Sequence, residues 1–311
     1  MPTRRSPEPP SSPTAAAAAN GGLHLRGVAL VALAGVFWSL AGPLVRAIEA
    51  ADSWRILFYR SLTLALTLLL VLLFRHRGRA LAEFRRVGPT AVVGGAFLAV
   101  AFTGFVFSIT TTTVANTLFV LSVSPFVAAL LARMALGEPI RRATWVAMLA
   151  AMSGVALMVA DGVRAGALFG NAMALVAVFG FSVFAVSLRR GRDADMLPAA
   201  CLAGVLSAVA AAFLADTLAI SGRDLALCAV MGVVQLGIGM TLFTIGSRSV
   251  AAAELALLSL TEVVLGPLLV WLGYGEVPSV ATLAGGAIVL AAIVGRALTG
   301  MRRRPPPIGA V

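Results

Sequence analysis

Apolar runs of about 20 residues, the length a helix needs to cross the hydrocarbon of a bilayer, recur along this chain between short polar or arginine-bearing intervals. Ten can be laid down, over residues 27–48, 54–74, 88–108, 111–133, 142–161, 166–188, 196–216, 225–246, 250–274 and 278–299. Only the intervals 74–87 and 189–195 are long enough to hold several charges, and little more than 109–111 separates the third run from the fourth. The pattern predicts an all-α membrane protein with ten transmembrane helices and no room for a soluble catalytic domain. Residues 1–26 are rich in Pro, Ser and Ala without an apolar period and are expected to form a disordered tail. Residues 300–311 form a second tail. No apolar core of signal-peptide length follows Arg4 and Arg5.

The pattern also repeats. "LLARMALGEPIRRAT" (Leu130 to Thr144) returns as "LLVWLGYGEVPSVAT" (Leu268 to Thr282) at a constant offset of 138 residues. Each copy is an apolar span, a turn built on Gly-Glu and a second apolar span, which is a membrane hairpin. At an offset of 143 a weaker match pairs Gly27 with Gly170, Ser39 with Ser182 and Arg46 with Arg189. Two similar membrane halves are a transporter pattern.

Composition agrees: 60% of residues are hydrophobic, 12% are charged and the mean hydropathy is +0.98. A soluble domain would carry about twice that charge. The net charge of +11 would point to nucleic acid in a soluble protein. Here the 24 basic residues, all arginine, sit mainly in loops and tails, so they report orientation and imply no nucleic-acid partner. With a cytoplasmic N-terminus, 19 arginines fall on the cytoplasmic side and four (Arg46, Arg55, Arg164 and Arg223) on the other, while Arg60 lies within a span. That bias predicts a multi-pass protein of the cell (inner) membrane with both termini cytoplasmic. The first Gly-Glu turn is then inside and the second outside, so the halves are inverted copies.

The stretch "TTTTVANTLFVLSVSPFVAALLARMALGEPIRRATWVAMLAAMSGVALM", with its Thr- and Ala-rich start, central Ser-Pro and Gly-Glu before the fifth span, resembles the drug/metabolite transporter (DMT) superfamily in its ten-helix EamA branch. "FWSLAGPL" in the first span and "WRILFYRS" in the second are similar too. The resemblance covers roughly residues 27–299 and implies two inverted five-helix EamA repeats, 27–161 and 166–299, around a central cavity. It implies transport of a small organic metabolite, such as an amino acid or related solute, often outward. The second copy departs from the pattern in having Val263 at the position of Pro125, and Glu254 and Glu262 at the positions of Asn116 and Ser124.

Chemistry is expected where polar groups are stranded in apolar spans. Glu262 lies about halfway along the ninth span, where a carboxylate costs roughly 2.5–3.5 kcal/mol on insertion scales. It is the candidate to carry a coupling proton. Glu254, eight residues earlier and about 80° around the helix, can border the same interior. Asn116 and Ser124 stand at the matching positions of the first half. Arg60 can pair with Glu262, hold an anionic group such as a carboxylate through its planar fork, or snorkel outward. Ser39, Gln235 and Asn171 are further polar positions, the last two able to serve as helix-to-helix hydrogen bonds. Trp38, Phe119, Phe179 and Phe181 can enclose a solute or simply pack. Glu138 and Glu276, in the Gly-Glu turns, are expected to act structurally by capping the helix that follows. Pro43, Pro125 and Pro267 should interrupt their helices.

Cys201 and Cys228 have no paired spacing, and His24 and His76 fall in the tail and a loop, so neither a metal site nor a cofactor is expected. A membrane-embedded enzyme fits poorly without a His-Glu-x-x-His motif, paired intramembrane aspartates or a nucleophile elbow. A scaffold without transport activity is the other alternative. The absence of a Walker motif points to a gradient, or the solute itself, as the energy source. The expected partners are lipid, a small solute and a coupling proton, with a homodimer left open.

Overall fold

The computed structural model describes residues 13–75, 80–137, 142–164, 167–190, 197–246 and 252–301. Among these the regular structure is all helix, with no strand. The helices are α1 (Pro13–Ser39), α2 (Ala41–Ala47), α3 (Ser53–Arg75), α4 (Ala80–Thr111), α5 (Val114–Leu121), α6 (Ser124–Leu136) and α7 (Arg142–Arg164). The second half follows with α8 (Leu168–Arg190), α9 (Leu197–Leu214), α10 (Gly222–Val230), a π-helical stretch (Met231–Ile238), α11 (Gly239–Gly246), α12 (Ala252–Tyr274) and α13 (Val280–Met301). Among the described residues seven stretches are long and apolar enough to cross a membrane: His24–Ala47, Ser53–Arg75, Gly88–Thr111, Val114–Ala135, Leu168–Ser187, Leu197–Leu214 and Gly222–Gly246. Shorter apolar stretches, Trp145–Leu157, Thr261–Tyr274 and Val280–Ala292, stand where the fifth, ninth and tenth spans were expected.

The proline breaks follow from the ring's clash with the carbonyl four residues back and the missing N–H. Helix α1 gives way to α2 at Leu40, just before Pro43, and α5 gives way to α6 at Ser122 and Val123, with Pro125 in the first turn of α6. Helix α12 instead runs through Pro267 without interruption, contrary to expectation. One lost hydrogen bond is a smaller defect there than a free helix end would be in a water-poor surrounding. The tail is a second correction. Helix α1 begins at Pro13, so residues 13–26 are helical where disorder was expected. Proline suits a first helical position, and Ala15 to Ala19 have the strongest helix propensity of any residue.

The repeat is visible in the element bounds. At the 138-residue offset the start of α5 matches that of α12, the end of α6 that of α12, and the start of α7 that of α13. Gly137 and Gly275, which follow those matched ends, both turn the chain in the left-handed region, at φ 69° and 67°. That conformation suits a residue without a Cβ.

Helix α4 packs along α8 and α9, α3 along α9, α1 along α11 and α12, and α7 along α13. The α4–α8 contact joins the two halves at backbone distance. A Cβ at Gly104 would stand 2.6 Å from the Met173 carbonyl oxygen, and one at Gly180 would stand 2.5 Å from that of Phe97. The exterior is apolar, with Leu66, Leu70, Phe213 and Trp271 exposed, whereas Arg60, Asn116, Asn171 and Gln235 are buried. This is the arrangement for a lipid-solvated bundle.

The bundle has two ends. Gly246 closes against Gly27, which places the end of α11 beside the start of the first span at what we term the near side. Gly170, near the start of α8, lies against Thr111 and Thr112 at the opposite, far side. The first and sixth spans therefore start from opposite sides.

Candidate functional site

A cavity of about 300 Å³ lies among α1, α3, α4, α5, α6, α8, the π-helical stretch, α11 and α12. It is at the lower end of the roughly 300–1,000 Å³ of small-molecule sites. Its wall is largely apolar, with Leu98, Phe102, Phe105, Leu118, Phe181, Met240 and Phe243, and its polar groups come from Arg60, Ser122, Ser124, Gln235 and Glu262.

Arg60, on α3, is 1% exposed. Its guanidinium carbon lies 5.2 Å from the centre of the Phe102 ring and 5.3 Å from that of Phe105, both on α4. Ring faces attract the cation without consuming its N–H groups. Nε and one terminal nitrogen accordingly have no hydrogen-bond partner. A buried guanidinium with free donors on a cavity wall is a site for two oxygens of an anion. Glu262 lines the same cavity from the middle of α12. Ser124, its repeat counterpart, lines the cavity as well.

Gln235 enters from the π-helical stretch, a rare backbone form that frequently occurs at functional sites. Its side-chain N–H reaches the Trp38 carbonyl at 3.5 Å, near the end of α1, while its own oxygen has no partner. The Trp38 indole lines the cavity beside Phe243, with ring centres 5.2 Å apart. The Pro125 break contributes by exposing a helix joint, since Leu121, Ser122, Ser124 and Pro125 all belong to the wall.

Trp38, Arg60, Ser124, Phe181, Gln235 and Glu262 thus converge on one cavity, while Ser39, Asn116, Phe119 and Phe179 lie outside its wall. Ser39 is buried and donates to the Val36 carbonyl at 2.7 Å. Asn116 donates to Asn171 of α8 and, at 3.2 Å, to Thr112, away from the cavity wall. Phe119 is buried against Gly286 of α13. Phe179 is 47% exposed and meets Phe97 edge-on, outside the cavity. Glu254 lies on α12, but its side chain falls outside the described residues, as does all of Glu138.

Glu276 accepts from the Val114 N–H at 2.7 Å, so it caps α5 of the other half. It had been expected to cap α13, where Ser279 accepts from the Thr282 N–H instead. Phe102, Phe105, Met240 and Phe243 were not singled out from the sequence, because apolar residues in an apolar span carry no local signal of facing an arginine or a cavity. Among the described residues no cluster of His, Cys, Asp and Glu could hold a metal ion.

A solved structure described only as "Crystal structure of protein" superposes with a TM-score of 0.66 at 21% identity, over 91% of this chain and 99% of its own. That likeness shows a shared fold. Among curated proteins no match is found. The model of the EamA-like transporter family matches residues 25–160 and again residues 168–296, which are the two halves of the bundle. The chain therefore belongs to the EamA-like transporter family, as a multi-pass membrane transporter of the drug/metabolite transporter type.

Proposed function

We propose that this chain is a secondary transporter of the cell (inner) membrane that exports a small organic metabolite bearing a carboxylate, such as an amino acid, by alternating access between its two halves. The observation that carries this reading is Arg60, buried on the cavity wall with two nitrogens lacking a partner. Charged donors of a buried guanidinium that have no protein partner and border a cavity match the two oxygens of a carboxylate. Arg60 holds the carboxylate, the Trp38, Phe181 and Phe243 rings enclose the apolar part and attract a cationic group, and Glu262 carries the coupling proton. The 19 to 4 arginine bias supports cytoplasmic termini and makes the near side the cytoplasmic one.

The test is counterflow in proteoliposomes with an amino acid and its primary amide, which differ at the carboxylate alone. The amino acid should exchange and the amide should not. Equal exchange of both would remove Arg60 from solute recognition.

A further inference from the structure

The arginine at the end of α2 carries more contacts than a membrane-surface charge needs. Arg46 Nε donates to Glu276 at 2.6 Å, and its two terminal nitrogens donate to the carbonyls of Ile109 and Thr112, each at 2.9 Å. Those carbonyls close the end of α4, whose negative dipole end favours the cation. The other Glu276 oxygen accepts from the Val114 N–H at 2.7 Å, at the positive end of α5. One ion pair thus satisfies two helix ends of the first half while anchoring the turn that follows α12 of the second.

Directly beneath lies an apolar seal. Val114 is fully buried and Val270 is 1% exposed. A Cβ at Gly42 would stand 2.7 Å from a methyl of each. The cavity begins below this seal, at Leu118 and Trp38, and its wall extends on the other side to Phe243, three residues from the near-side end of α11.

We propose that Arg46 and Glu276 form the clasp that holds the far side of the cavity shut, and that the ion pair must part each time the far side opens. This rests on the alternating-access reading above. Both partners retain partial exposure, 23% for the Arg46 side chain and 19% for that of Glu276. Water can therefore take over their hydrogen bonds when they separate, and the pair is reversible where a fully buried one would be trapped. Arg46 and Glu276 touch no cavity wall, so they act on the direction of access and not on the solute.

The experiment places a reporter cysteine at Ala128, on the cavity wall, and applies a membrane-impermeant maleimide to the far face of oriented proteoliposomes. Cys201 and Cys228 are buried, so protein without the reporter serves as the blank. Far-side labelling should be slow in the parent and rise about tenfold or more in Arg46→Gln, the factor carried by one charge-assisted hydrogen bond. Glu276→Gln keeps an oxygen for the Val114 N–H but loses the charge, and should show the same rise. Unchanged far-side labelling in both folded variants would overturn the proposal. So would failure of both to fold, which would assign the pair to assembly. Labelling needs no solute, so a shifted rate without any transport would remove the transport reading and leave the clasp standing.

Discussion

Asn116 donates its side-chain N–H to the Asn171 carbonyl across the α5–α8 contact, joining the two halves at a depth where both residues are buried. Hydrogen bonds of this kind between membrane helices contribute about 1 kcal/mol. A double-mutant cycle with Asn116→Ala and Asn171→Ala, read by unfolding in detergent, should return a coupling of about that size. Additive single effects would mean that the contact carries no energy.

Arg60→Lys retains the charge and discards the fork. If the cavity binds a carboxylate, the variant should lose about tenfold or more in apparent solute affinity, because two parallel donors become a point charge. Arg60→Leu should bind no solute measurably while remaining folded. Titration of counterflow against solute concentration checks both, and wild-type affinity in Arg60→Lys would place the guanidinium among the structural groups.

Glu262→Gln should abolish flux driven by a pH gradient and leave solute exchange intact, since exchange needs binding and movement but no net proton transfer. Gradient-driven transport at the wild-type rate in a folded Gln variant would demote Glu262 to a packing residue.

Asp224, fully buried at the start of α10, accepts from the backbone N–H groups of Glu49, Ala50 and Ala51 at 3.0–3.2 Å. It ties the loop after α2 to the second half. Asp224→Ala strands those amides and should lower stability by about 2 kcal/mol or more, with Asp224→Asn intermediate. Melting temperature in detergent reads the difference.

What could be read from the sequence, and what could not, follows from the range of the signals. Seven of the ten span lengths, the matched helix bounds of the repeat and the breaks before Pro43 and Pro125 are local signals, and they reappear in the helices. The site was legible only residue by residue, because polar rarity marks a position without giving its helical phase. Phe179 and Phe181 illustrate this: two residues apart on a helix they point about 200° from each other, so only one can face the cavity. Asn116 and Ser124 look like neighbours on a continuous helix, yet the joint at Ser122 and Val123 lies between them. The π-helical stretch that presents Gln235 has no local sequence signal. The reach of Glu276 to α5 is a long-range contact that a turn motif could not disclose.

The orientation can be tested with cysteines at two described arginines. Arg133→Cys, at the end of α6, should react with impermeant reagent only from the cytoplasm, and Arg223→Cys, at the start of α10, only from outside. Reaction from one common side would contradict the arginine bias and the inverted halves.

The central claim is carriage of an unchanged solute through the Arg60 cavity, and efflux from proteoliposomes tests it most directly. Vesicles loaded with a labelled amino acid should release it only when they contain the protein, the released label should be chemically identical to what was loaded, and Arg60→Leu vesicles should behave like empty ones. Release of an altered product would make the chain an enzyme. Retention of label for every solute tried, with folded protein in the membrane, would contradict transport and leave a scaffold.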